Sequence, residues 1–208
     1  MKPRIAVADT GSGNLRSVEK ALARAGADVV VTPDPAVIAH ADKIVVPGQG
    51  QFGACMAGLG RDGGALRQVV LESLRAGKPY LGICLGLQVL FESSEENPGC
   101  AGLGVLPGTV RRFSERPGLK IPHMGWNRTT RAPAAGTPAL GRVPDGTYFY
   151  FVHSYFPVPA RAEDVALESD HGAKFCAAVA RDNIFAAQFH PEKSQGAGAA
   201  LLSAFVAA

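Results

Sequence analysis

Two short stretches hold residues able to do covalent chemistry together. Around Cys84, glycines stand two residues away on either side, Gly82-Ile-Cys-Leu-Gly86. A β-forming apolar run from Tyr80 to Ile83 precedes the thiol, and a helical pattern follows from Leu87 onward. A chain that passes from strand to helix within two or three residues crowds its own backbone. Glycine on both flanks removes the side chains that would collide. This is a nucleophile elbow in its cysteine form, which stands the thiol at the top of a sheet. The helix N-terminus behind the sulfur favours negative charge there. The backbone N–H of Leu85 then points where an oxyanion would form. A buried structural cysteine among packing glycines has the same local pattern, so the elbow needs corroboration from elsewhere.

The second stretch, Ile184-Phe-Ala-Ala-Gln-Phe-His-Pro-Glu-Lys193, supplies it. A strand delivers His190 at its end, Pro191 stops the strand, and Glu192 follows. A nucleophilic cysteine needs a base to take its proton and an acid to return it to a leaving amine, and imidazole suits both. Glu192, reaching around the proline turn, fixes the imidazole tautomer, which completes a Cys84-His190-Glu192 triad. A third stretch, Pro47-Gly-Gln-Gly50, is a glycine-rich turn after a strand whose backbone N–H groups can complete an oxyanion hole with Leu85; an ordinary tight turn has the same composition.

These residues need a scaffold. Strands are expected at 4–9, 28–31, 43–46 and 80–83, with helices from Leu15 to Ala25, in a short turn at 33–38 and from Ala65 to Ala76. This alternation of buried strands and amphipathic helices implies an α/β fold with a mostly parallel sheet covered on both faces. Ligands in such sheets sit at the carboxyl ends of the strands, where Asn14, Gly48 and Cys84 fall. Beyond residue 104 the texture changes to short strand candidates at 105–113, 148–155, 165–169, 175–180 and 184–189, read as hairpins and meanders in a mixed C-terminal extension. A surface loop is expected over 129–146, and a last helix over 199–206 packs back on the sheet.

The chain has 208 residues, most simply one domain over 1–208. A net charge of +3 is too mild to argue for a nucleic-acid partner. No run reaches membrane-spanning length. The four cysteines are far apart with no C-x-x-C pair, which favours reduced thiols in the cytoplasm. The five histidines are dispersed in sequence, and no metal site is expected.

Gly82-Ile-Cys-Leu-Gly-Leu-Gln88 with Phe189-His-Pro-Glu192 resembles the triad-type (class I) glutamine amidotransferases, and the resemblance runs over nearly the whole chain. Pro47-Gly-Gln-Gly-Gln-Phe-Gly53 resembles that family's oxyanion loop. Together with Asp9-Thr-Gly-Ser-Gly-Asn14, His123-Met-Gly-Trp-Asn127, Tyr150-Phe-Val-His-Ser-Tyr155 and Pro191-Glu-Lys193, it is similar to the branch that serves imidazole glycerol phosphate synthases. The guanylate and anthranilate branches lack the His-Met-Gly-Trp-Asn block, and the pyridoxal-phosphate branch has a different oxyanion loop. Gln49 departs from the pattern, since many members carry Val there.

The resemblance implies a flavodoxin-like glutaminase without a cofactor. Cys84 would attack the carboxamide of L-glutamine, with Gln49, Gly50 and Leu85 at the oxyanion hole. Gly50, Gln88, Glu96, Ser154 and Tyr155 would surround the substrate, although Glu96 also reads as one more acid of a solvated run. Ammonia would pass to a separate (β/α)8-barrel cyclase subunit in histidine biosynthesis. Asn14, Trp126 and Lys193 match interface positions; Trp126 reads equally well as a core residue. Open alternatives are a triad-type glutaminase of another pathway and a catalytically silent subunit that only binds its partner.

Overall fold

The computed structural model describes residues 2–132 and 143–208. Its centre is an eight-stranded sheet, and five of those strands run parallel. Four come early: β1 (Arg4–Ala8), β2 (Asp28–Thr32), β3 (Lys43–Gly48) and β4 (Tyr80–Cys84). Residues of both parities are buried along them. Ile5, Val7, Val45, Leu81 and Ile83 face one core, and Ala6, Ala8, Ile44, Val46 and Tyr80 face the other. Burial on both sides is why these strands read as continuous apolar runs.

Helices fill both faces. On one side lies α1 (Leu15–Arg24), whose Val18, Ala21 and Leu22 face inward. On the other lie α2 (Pro35–His40), α3 (Phe52–Leu59) and α4 (Arg61–Arg75). Asn14 and Asp34 cap α1 and α2, accepting from the N–H groups of Ser17 and Ala36. Residues 62–64 of α4 take left-handed conformations, so its regular part starts at Ala65, as the periodicity predicts. The sequence reading missed α3. Its glycines obscure the helical pattern, and Gly58 is needed because a side chain there would strike the carbonyl of Thr10. The elbow is followed by α5 (Leu85–Gln88), which begins two residues earlier than expected and lasts one turn.

The second half adds β5 (Ser93–Ser94), β6 (Gly108–Arg112), β7 (His123–Arg128), β8 (Thr130–Arg131), β9 (Tyr148–His153), β10 (Tyr155–Pro159), β11 (Val165–Asp170), β12 (Lys174–Arg181) and β13 (Ile184–Ala187). It closes with α6 (Gln195–Ala207), packed beside α1. Strands β13, β12, β11 and β8 extend the central sheet, giving the order β2-β1-β3-β4-β13-β12-β11-β8. Strand β7 was not expected. The single strand expected over 148–155 is two: β9 pairs with β7 and β10 pairs with β6, so the chain changes sheets at Ser154. The loop expected over 129–146 includes β8, which pairs with β11, while its residues 133–142 lie outside the described ones.

Lys43, at the start of β3, is buried, and its Nζ donates to the carbonyls of Phe205 and Val206 at 2.7 and 3.0 Å. That places a cation at the C-terminus of α6, where the helix carbonyls would otherwise be unpaired. Among the described residues, no helix is long and apolar enough to cross a membrane.

Candidate active site

Strands β4 and β13 are parallel neighbours, and their register pairs Ile83 with Ala187. The next residues therefore leave the sheet side by side at its carboxyl edge: Cys84 from β4, then Gln188 and His190 from β13. Residues far apart in sequence thus meet through one strand pairing.

The elbow has the geometry its glycines imply. Cys84 sits at φ 54 and ψ −103, a conformation that non-glycine residues adopt only under constraint. A Cβ on Gly82 would strike the carbonyl of Gly86, and one on Gly86 would strike the carbonyl of Val46. Only glycine lets α5 lie this close over β3 and β4.

His190 is gripped through its backbone. Its N–H donates to the Tyr150 carbonyl at 2.9 Å, and its own carbonyl accepts from Ser194 Oγ at 2.6 Å. The same hydroxyl accepts from the Tyr150 N–H at 3.0 Å, which ties β9 to the histidine turn. Pro191 opens a single 3-10 turn through Lys193, and this brings Glu192 Oε1 to 2.8 Å from His190 Nδ1. Both side chains are only 2% exposed. With Nδ1–H donating to the carboxylate, Nε2 is the ring atom left for the thiol. It is buried and has no hydrogen-bond partner of good geometry among the described residues. Burial alone would lower the pKa of His190, but the Cys84 sulfur and the Glu192 carboxylate outweigh it and raise the pKa to about 9. The other buried thiols are held protonated: burial pushes Cys55 up to about 11 and raises Cys176 as well.

Cys84 opens into a cavity of about 390 Å³. Gln49, Gly50 and Leu85 line it beside the sulfur, and Gln88, Glu96, Ser154 and Tyr155 line its other walls. Every residue expected around substrate or oxyanion is therefore in one place. Glu96 is no bystander of a solvated run, because its Oε2 accepts from the Phe52 N–H at 2.7 Å, which turns the carboxylate toward the pocket wall. Gly50 has φ +104, in the region that favours glycine. The Gln49 side chain makes no hydrogen bond among the described residues.

Of the expected interface residues, Lys193 lines the same cavity, with Nζ 5.9 Å from the centre of the Tyr150 ring. Trp126 is 47% exposed, which removes its core reading, and its ring meets Tyr150 edge-on at 6.3 Å. Met124 and Tyr148 are exposed on the same face of the β7–β9 pair. Asn14 is exposed, and its side chain is engaged in capping α1.

Two features were missed. The histidines are not all dispersed in space: His123, His153 and His171 cluster, with His153 lining the cavity and His123 and His171 stacked at 4.3 Å. Gln188, entirely buried, donates from Nε2 to Cys84 Sγ at 3.5 Å. Its signal was available, since a lone polar residue in the apolar run Ile184 to Phe189 requires a buried partner.

Residues 6–208 match the family model for class-I glutamine amidotransferases. The chain belongs to that family. It is 50% identical to the imidazole glycerol phosphate synthase subunit HisH of Aromatoleum aromaticum, with 97% of each chain covered. The subunits of the same name from Acinetobacter baylyi and Geobacter sulfurreducens are 47% and 46% identical, each over at least 97% of both chains. Among solved structures, the fold of this amidotransferase is similar to that of PurLQS from Thermotoga maritima, with a TM-score of 0.76, 21% identity and coverage of 100% and 98%. It is also similar to the glutaminase domain of CTPS from Trypanosoma brucei, with a TM-score of 0.69, 18% identity and coverage of 99% and 92%. These two likenesses concern the mostly parallel flavodoxin-like fold alone.

Proposed function

We propose that the chain, a single amidotransferase domain over 1–208, is the glutaminase subunit of an imidazole glycerol phosphate synthase. It hydrolyses L-glutamine and delivers the ammonia to a separate (β/α)8-barrel cyclase subunit in histidine biosynthesis. The observation that carries the chemistry is the strained Cys84 beside the buried His190–Glu192 pair, at the floor of one cavity. Relatives at 46–50% identity over nearly their whole length support the pathway and the partner. The four unpaired cysteines suit the cytoplasm.

His190 is protonated at neutral pH and faces the Cys84 sulfur, which attacks the glutamine carboxamide as the thiolate of that pair, and the carbonyl oxygen becomes an oxyanion facing the N–H groups of Gln49, Gly50 and Leu85. Collapse of the tetrahedral adduct breaks the C–N bond. His190 gives its proton to the leaving nitrogen, and ammonia departs from a glutamyl thioester. Neutral again, His190 takes a proton from water, whose attack on the thioester releases glutamate and the thiol. Glu96 offers a carboxylate to the substrate ammonium. Gln88 offers Oε1, because both hydrogens of its Nε2 are already committed to Tyr155 O and Gln188 Oε1. Trp126, Met124 and Tyr148, next to Tyr150 and Lys193 at the cavity, form the apolar part of the partner's docking face.

The Gly48–Gly50 loop is the point of control. Glycine conformational freedom lets a peptide there turn between an N–H and a carbonyl facing the oxyanion. Loss of one such donor costs about 3 kcal/mol, or ~100-fold in rate. The unbonded Gln49 side chain does not pin the loop in one form. Glutamate release is to be measured for the isolated chain, for the complex, and for the complex with the barrel subunit's ribonucleotide ligand. The expected result is slow release alone and a rise of ~100-fold or more in the liganded complex. Equal rates in all three states overturn the switch, and no release in any state overturns the glutaminase reading.

A further inference from the structure

The Cys84 sulfur has a neighbour that the acid–base chemistry does not use. The Gln188 amide faces it from β13, and the orientation of that amide is fixed from a distance. Gln88 Nε2 lies 3.0 Å from the Tyr155 carbonyl and 3.0 Å from Gln188 Oε1. A carbonyl oxygen only accepts, so the Gln88 atom facing it is nitrogen, and its second hydrogen goes to Gln188. The Gln188 atom facing Gln88 is then oxygen, and the one facing sulfur is nitrogen. The Tyr155 carbonyl also accepts from His153 Nδ1 at 2.8 Å. That commits the ring N–H of His153, so its Nε2 accepts from His123 Nδ1 at 2.9 Å. His123 Nε2 in turn accepts from Asn127 Nδ2 at 3.0 Å, and the other hydrogen of that amide goes to the Asp170 carbonyl at 2.7 Å. A line of assigned donors and acceptors runs from Asn127 on β7 to the sulfur. Burial, aided by neighbouring histidines, pushes His123 down to about 4 and His153 to about 3, so at neutral pH no protonation disturbs this order.

We propose that Gln188 is a positioning residue for the nucleophile: its side-chain amide donates to Cys84 Sγ, and the line from Asn127 through His123, His153, the Tyr155 carbonyl and Gln88 holds that amide in place. The proposal rests on the reading of Cys84 as nucleophile. A donor facing sulfur bonds the anion more strongly than the neutral thiol. Gln188 therefore favours the reactive form and aims it, while taking no part in proton transfer.

The other titratable groups around the sulfur are His190 with Glu192, Glu96, Lys193, His153, Tyr150 and Tyr155, together with the Cys55 thiol, and all are retained in the test variants. The readout is the pH profile of Cys84 alkylation by iodoacetamide, followed by peptide mass in the assembled complex. Gln188→Met keeps the length and removes the donor. It is expected to move the profile to higher pH by about one unit, equivalent to roughly tenfold slower alkylation on the rising limb, with kcat lowered more than KM is changed. Gln188→Glu, which replaces the donor by an acceptor, moves the profile further the same way, and Asn127→Ala moves it less. Unmoved profiles in both Gln188 variants overturn the proposal, and an unmoved profile in Asn127→Ala overturns the outer half of the line. If neither Gln188 variant folds, ¹⁵N-glutamine-labelled protein decides. The Gln188 side-chain resonance is expected to follow the titration of Cys84 and to stop doing so in Cys84→Ala; a resonance indifferent to Cys84 overturns the inference. These outcomes are separate from the status of the nucleophile, which fails if Cys84→Ala keeps glutaminase activity.

Discussion

In the proposed mechanism Cys84 and His190 divide the chemistry, and two different kinds of constraint hold them. The cysteine backbone is held in a strained conformation that depends on its glycine neighbours, and its sulfur accepts from the Gln188 amide. The histidine is held by hydrogen bonds at both backbone groups and at Nδ1. Their roles separate by substitution. His190→Ala is expected to remove most turnover in the complex, by ~100-fold or more, whereas Glu192→Gln costs less because it disturbs orientation more than proton transfer. Near-normal turnover in His190→Ala contradicts the triad. The pH profile carries the same information. A pKa raised to about 9 keeps His190 protonated at neutral pH, able to give its proton to the leaving nitrogen, and that form is lost as pH rises through about 9. Turnover is therefore expected to fall above that pH. In Glu192→Gln the fall begins at lower pH, because one of the influences raising the histidine pKa has gone. A limb that stays in place in the variant contradicts this assignment.

Among the elements, the decisive pairing is β13 beside β4, and it was only partly legible. Each strand is evident as an apolar run, and each motif is evident at its end. That the last strand returns to lie parallel to β4 depends on the intervening β11 and β12 crossing back, which no local pattern encodes. The helix α3 was lost because glycines demanded by close packing look like breakers. The strand β7 was lost because His123-Met-Gly-Trp-Asn127 has no clean alternation: its outward face keeps Met124 and Trp126 exposed. The inward face of β7 and β9 carries His123 and His153, both held below the ordinary histidine pKa by burial. Their unfolded forms take up protons near pH 6.5, while the folded forms resist until about 4 and 3. Between those values the unfolded chain binds more protons, so stability falls as pH drops. His190 shifts the opposite way and offsets part of the fall near pH 6.5, but well below that it is protonated in both states and the fall belongs to the buried pair. Denaturant midpoints are expected to fall from about pH 7 to about pH 4.5, and to fall less in His123→Asn with His153→Asn. Equal pH dependence in that double variant contradicts the buried neutral pair.

At the scale of the whole molecule, the parallel sheet, its helical cover and the grouping of Cys84 with His190 and Glu192 could be read from sequence, because burial on both faces and the elbow glycines leave direct marks on residue choice. The cavity walls were legible only by resemblance, since Glu96, Ser154 and Tyr155 come from loops and strand ends whose meeting is a tertiary event. The histidine cluster and the Gln188 contact were not read, because each depends on partners far away in the chain. The cavity at the carboxyl edge of the sheet holds the Cys84 thiol that the proposed mechanism uses, while burial keeps the thiols of Cys55 and Cys176 protonated. Treatment of the complex with a glutamine analogue bearing an alkylating group, followed by intact and peptide mass, tests this most directly. The expected result is one adduct per chain, on Cys84, abolished in Cys84→Ala. An adduct on Cys55, Cys100 or Cys176, or labelling that persists undiminished in Cys84→Ala, contradicts the account.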